Sequence, residues 1–247
     1  MSYQVEICAN SVQSVINAEL AGANRVELCD NLWEGGTTPS AATIKLSILK
    51  TNIPIYVLIR PRGGDFVYSD LEFETIKEDI RITKELGAAG IVSGVLMAEG
   101  TVDIERTKAL VQLSKPLPFT FHRAFDVADD PMQALEDIID CGVVRILTSG
   151  QQNSAIEGLA MLNKIQEKAA GRIILMPGGG INASNISELL SIGCKEFHMS
   201  GKKPVKSAAK LSNVKMNGSK DIPENVIYTS DVAEIRKVIG MINVVPK

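Results

Sequence analysis

Eight short apolar segments alternate with longer stretches of helical period along this 247-residue chain, and that alternation narrows the possible folds more than any other feature. The segments at 3–8, 25–29, 54–60, 90–95, 118–123, 145–149, 172–177 and 196–200 are mostly β-branched or aromatic and too short for buried helices. Between and after them, residues near 11–22, 40–51, 70–86, 103–114, 131–141, 154–170, 184–193 and 231–240 repeat apolar positions every three or four residues, as Ile76, Ile80 and Thr83 do. Asp70 and Ser184 are placed to cap helix starts, and Gly87, Gly142 and Gly193 stand where helices should end.

Strands joined by helices form a parallel sheet, because each parallel crossover needs a connection of that length. Eight such units in a chain of this size predict an α/β fold, a TIM-type (β/α)8 barrel, as a single domain over residues 1–247. A doubly wound open sheet is the competing architecture. That fold would gather polar residues at one switch point, with Gly-x-Gly-x-x-Gly after the first strand. Here polar residues sit at many C-terminal strand ends, and the first turn reads Ala9-Asn10-Ser11.

A net charge of −3 gives no reason to expect nucleic acid or an anionic membrane as partner. No stretch is long and apolar enough to cross a bilayer, and the first residues lack a signal-peptide pattern, so a cytoplasmic protein is expected. Cys141 and Cys194 follow helical segments and read as packing residues; no Cys-x-x-Cys occurs. Residues 201–220 carry six lysines and no acidic residue. They read either as a solvated connection or as a basic lid over the barrel mouth.

The candidate site follows from strand parity. Alternate side chains share a face, so Glu6 with Cys8, Glu27 with Cys29, and Glu196 with His198 and Ser200 would point into the barrel. The third strand ends in Arg60-Pro61-Arg62, and the fifth ends in His122-Arg123. Two readings stay open for the charges. In one, Glu6, Glu27 and Glu196 form an ion-pair network with Arg60, Arg62 and Arg123. In the other, Arg60 and Arg62 bind a small anion while His122, His198, Glu27 or Glu196 moves protons. The loop Gly178-Gly179-Gly180 precedes a helix and, with Ser149, could supply amide and hydroxyl donors to a phosphate or carboxylate. Cys8 and Cys29, if on adjacent strands, could meet at the mouth and hold Cu(I), act as a nucleophile, or simply fill space.

The runs Glu6-Ile7-Cys8, Arg25-Val26-Glu27-Leu28-Cys29, Glu34-Gly35-Gly36-Thr37-Thr38-Pro39-Ser40 and Ile59-Arg60-Pro61-Arg62-Gly63-Gly64-Asp65-Phe66-Val67-Tyr68-Ser69 resemble the CutC family, named for copper homeostasis. So do Thr120-Phe121-His122-Arg123-Ala124-Phe125-Asp126, Leu147-Thr148-Ser149-Gly150, Met176-Pro177-Gly178-Gly179-Gly180-Ile181 and Glu196-Phe197-His198. The resemblance implies a TIM-type barrel, a cytoplasmic homo-oligomer (commonly a dimer) and Cu(I) at Cys8 and Cys29. It does not extend into the lysine-rich stretch. The expected ligands are therefore a copper ion or a small anion, the latter as substrate of a barrel enzyme.

Overall fold

The computed structural model describes residues 3–209, 216 and 223–244. All eight expected strands are present: β1 (Gln4–Ala9), β2 (Arg25–Leu28), β3 (Ile55–Leu58), β4 (Gly90–Ser93), β5 (Phe119–Phe121), β6 (Arg145–Thr148), β7 (Ile174–Pro177) and β8 (Glu196–Met199). They form one parallel sheet in the order β7-β6-β5-β4-β3-β2-β1-β8. Helices α1 (Val12–Ala21), α2 (Ala41–Lys50), α3 (Asp70–Glu85), α4 (Ile104–Ser114), α5 (Pro131–Asp140), α6 (Leu159–Ala169), α7 (Ile186–Leu189) and α8 (Val232–Val244) follow the strands. The arrangement is a nearly closed TIM-type (β/α)8 barrel.

Two cores follow from the period of the strands. Residues such as Ile7, Val26, Val57, Ile91 and Ile146 face outward and pack with Ile76, Ile80, Leu135 and Leu162 of the helices. A smaller inner cluster of Cys29, Tyr56, Leu58 and Val92 fills one side of the barrel. Gly90 makes room for it, since a Cβ there would stand 2.5 Å from the Tyr56 ring.

The rest of the interior is ionic. Arg25 donates to Glu6 through Nε and to Glu196 Oε2 through Nη2 at 2.6 Å. Arg145 donates to both oxygens of Glu196 at 2.6 and 3.2 Å and to Thr120 Oγ1 at 3.1 Å. Both guanidiniums lie over the Tyr56 ring, at 4.9 and 5.5 Å. This changes the expected network. The carboxylates Glu6 and Glu196 are balanced by Arg25 and Arg145 at the lower ends of β2 and β6, not by Arg60, Arg62 and Arg123 at the upper ends of theirs.

The network also closes the barrel. No backbone ladder joins β7 to β8 among the described residues. Arg145 on β6 reaches Glu196 on β8, and Arg25 Nη2 approaches Met176 Sδ on β7 at 3.3 Å, so side chains span that seam from inside.

Local expectations need three adjustments. The cap of α3 is Ser69, with Glu72 completing a capping box, and Asp70 is the first helical residue. Ser184 does not cap α7; it lies in a turn whose hydrogen bonds go to Asn182, and Asn185 precedes the helix. Lys202–Lys206 is not an irregular connection but a strand, β9, paired antiparallel with β10 (Val226–Ser230). Lys210, Lys215 and Lys220 lie outside the described residues. The expected helix ends hold at Gly87, Gly142 and Gly193, all at positive φ.

Arg145→Met should unfold with about 3–5 kcal/mol less stability in urea, because it leaves Glu196 with one of its two cationic partners gone. Amide exchange should quicken first across 174–177 and 196–199. Uniform loss of protection throughout the barrel would show that the network does not close the seam.

Candidate functional site

The barrel mouth contains a cavity of about 200 Å³, lined by Cys8, Glu27, Arg60, His122, His198 and the Gly179–Ile181 turn, among others. Its position at the C-terminal strand ends is where this fold carries chemistry. Strand register explains the convergence. Cys8 lies opposite Glu27 across β1 and β2, and Glu6 lies opposite His198 across β1 and β8.

On the β8-β1-β2 side, Cys8 Sγ and Cys29 Sγ stand 3.6 Å apart as free thiols. His198 Nδ1 donates to Glu6 Oε1 at 2.8 Å, and its Nε2 lies 3.5 Å from Glu27 Oε2. The ligating atoms of Cys8, Glu27 and His198 all fall within 4.8 Å of one another. Burial works against a charged His198, but Glu27 and Glu6 overcome it and hold the imidazole pKa well above its ordinary value. Burial likewise opposes ionisation of Glu6, yet the His198 hydrogen bond and the Arg25 charge bring it down to about 2. Glu27 moves the other way, raised by burial and by the Glu6 charge despite His198. The hydrogen bond with Cys29, and then burial, keep the Cys8 thiol well above its usual range.

This donor set fits a soft metal ion. With metal–sulfur bonds of about 2.3 Å, two sulfurs on one tetrahedral ion lie roughly 3.8 Å apart, against roughly 4.6 Å on a linear one. The observed 3.6 Å suits a bent pair with a further donor, and His198 or Glu27 stands beside Cys8 to supply it. Binding would release protons, since the thiol and the imidazole start protonated.

The β3-β5 side differs. Arg60 is buried, with Nη1 donating to the carbonyls of Glu34 and Gly36 and Nη2 to that of Gly64. His122 is buried beside it. Its Nδ1 accepts from the Ala124 amide at 3.2 Å, which places the proton of the neutral ring on Nε2. Gly94 clears its space, because a Cβ there would lie 2.8 Å from Nδ1. Burial, and then the Arg60 charge, push the His122 pKa down to about 3, so the ring is neutral.

The remaining expected residues separate. Arg62 lies outside the cavity, in surface ion pairs with Asp65 and Glu72. Glu196 is the acceptor at the barrel floor and is not among the residues lining the cavity. Ser149 gives its amide and hydroxyl to Asp126, which also receives the Gln151 amide and Arg123 Nε, so an internal carboxylate occupies that donor set. The Gly178 amide is taken by the Thr148 carbonyl, while Gly179 and Gly180 line the cavity. Cys141 and Cys194 are buried, and burial raises their thiols to about 11 and about 12, as inert packing residues require. The strand-end pattern of the sequence points to no role for Arg25, Arg145 or Tyr56. Arg25 was within reach of the parity rule, two residues before Glu27.

A parallel barrel with a thiol, carboxylate and imidazole cluster at its mouth defines a class of site-bearing TIM barrels. Within that class, the CutC family model matches residues 3–203, and this chain belongs to the CutC family. It is 46% identical over 237 residues to the human "copper homeostasis protein cutC homolog", covering 95% of this chain and 87% of the relative. A CutC family protein of Chromobacterium violaceum is 50% identical over 205 residues, 83% of each chain. The crystal structure of a CutC protein from Streptococcus agalactiae superposes with a TM-score of 0.75 at 36% identity, covering 80% of this chain and 98% of that one.

His122 gives a pH prediction. Unfolded, it titrates near 6.5; folded, near about 3. Between these values the unfolded chain binds the extra proton, so stability falls as pH falls. The depressed carboxylates start from 4.5 or below and add their losses only at lower pH. Urea titrations of wild type and His122→Gln should therefore diverge between pH 6.5 and 4.5, the wild type losing stability more steeply. Parallel curves would mean that His122 is not held neutral.

Proposed function

We propose that this protein serves copper homeostasis by holding Cu(I) at Cys8 and Cys29, with His198 as the nearby third donor. The observation that carries this reading is the pair of free thiols 3.6 Å apart at the barrel mouth. Soft thiolates select Cu(I), and neighbouring imidazole extends the set without demanding a rigid geometry. The human and mouse relatives bear the copper homeostasis name, which supports the same reading.

Cu(I) with two thiolates carries one net negative charge. The Arg60 guanidinium, which lines the same cavity, compensates it while His198 gives up its proton to serve as donor, and before binding the neutral Cys8 thiol spares the cavity that charge. The reading places the protein in the cytoplasm, where reducing conditions keep the thiols apart. Exposed Leu46 and Leu49, on one face of α2, support a homodimer. No helix among the described residues is long and apolar enough to cross a membrane, which accords with a cargo taken up from solution.

Titration of reduced protein with Cu(I) against a chromophoric competitor should give one ion per chain. Cys8→Ser and Cys29→Ser should each weaken binding by at least a hundredfold, His198→Phe by less, and Arg62→Ala not at all. Undiminished binding in the Cys8→Ser, Cys29→Ser double variant would end the proposal.

A further inference from the structure

Two buried donors at the mouth have no acceptor: Arg60 Nε and His122 Nε2. Leaving a buried donor unpaired costs about 1–3 kcal/mol, so each calls for a physical reason. Neither can turn elsewhere. His122 is fixed by the Ala124 amide on Nδ1, and Arg60 is pinned through Nη1 and Nη2 to three carbonyls. Both residues are 4% exposed, and both line the cavity. The Phe66 ring lies against the two of them, 4.9 Å from the imidazole centroid and 4.9 Å from the guanidinium carbon.

A second group of free donors stands on the turn after β7. The amides of Gly179, Gly180 and Ile181 have no acceptor among the described residues, and all three line the same cavity. Arg123 closes the outer edge. Its Nε and Nη2 are engaged by Asp126, Ser149 and Gln152, and its Nη1 lies 3.5 Å from where a Gly179 Cβ would be. The side-chain and turn groups left free here, Arg60 Nε, His122 Nε2 and the three amides, are all donors. A neutral ligand with its own donors would leave the mismatch in place, while a ligand bearing several acceptor oxygens would resolve it.

We propose that this side of the mouth is a seat for a small oxyanion, a phosphate or carboxylate group. Its oxygens take the Gly179, Gly180 and Ile181 amides and Arg123 Nη1 at the outer end. They reach the His122 and Arg60 donors at the inner end once Phe66 swings aside. The seat uses none of the thiols. Neutral His122 suits it, because the ring presents a proton without bringing a second positive charge beside Arg60.

The test titrates the whole chain, at constant ionic strength with chloride as background, with inorganic phosphate and separately with acetate, followed by two-dimensional amide NMR. Saturable shifts at Gly179, Gly180 and Ile181 are expected. Preference for phosphate or for acetate identifies which source the seat favours, and either supports it. His122→Phe should weaken binding at least tenfold, as should Gly179→Ala, which fills the outer edge. Phe66→Ala should tighten it by uncovering the inner donors. Amide resonances far from the mouth report whether each variant is folded; should His122→Phe fail to fold, Gly179→Ala and Phe66→Ala decide. The proposal is overturned if neither anion gives saturable shifts, or if the folded variants bind as wild type does.

Discussion

The structure depends on how the barrel accommodates charge in its interior. A TIM-type interior is ordinarily filled by branched apolar side chains. Here Arg25 and Arg145 enter it with Glu6 and Glu196, and none of these can be left unpaired without a penalty of several kcal/mol. The Tyr56 ring takes up the guanidinium faces, and their edges go to carboxylates, Thr120 and Met176. Because the bonds run from β6 to β8 and from β2 to β1 and β8, satisfying the charges also fixes the strands around the β7–β8 seam. The polar floor therefore helps to close the barrel.

That floor sets the chemistry above it. Glu6 is held ionised by its hydrogen bond to His198 and then by the Arg25 charge, and His198 is held protonated by Glu27 first and by Glu6 after it, so Arg25 acts on the imidazole through Glu6. Glu27 then faces an imidazolium on one side and the Cys8 thiol on the other. A change at Arg25 should propagate along this line of contacts, although Arg25 does not line the cavity. His122 has no such support. Among the described residues the charge acting on it is Arg60, and it stays neutral.

The sequence carried this division unevenly. The eight strands are legible because each is a short apolar run bounded by turn residues, and inward parity alone places Glu6, Cys8, Glu27 and Cys29 together. Arg25 and Arg145 obey the same parity. The sequence alone points to no role for them, because catalytic groups of this fold lie at C-terminal strand ends and these two begin their strands. Arg60 and Arg62 look equivalent in Arg-Pro-Arg, yet β3 ends at Leu58 and the chain turns at Pro61. Parity stops applying there, and only tertiary partners send one arginine inward and the other to Asp65 and Glu72. Lys202–Lys206 has no apolar alternation at all. Its strand comes from pairing with Val226–Ser230, a partner twenty residues further on.

Ser149 shows the limit of reading donors from composition. A serine after a strand, near a glycine turn, has the chemistry of an anion seat, but Asp126 lies in the turn after β5 and delivers its own carboxylate to that serine. The donors that remain free are those no internal acceptor can reach: backbone amides on the far turn, and two side chains locked by contacts on their other atoms. Free donors collect on the β3-β5-β7 side, while thiols and carboxylates collect on β8, β1 and β2. A Cu(I)–dithiolate unit and a small oxyanion are both negative, and both would sit against the positive groups of the mouth. The two would repel each other across a shared cavity of about 200 Å³. Occupancy of one side should therefore weaken the other, an antagonism that would tie metal loading to the concentration of a small anion.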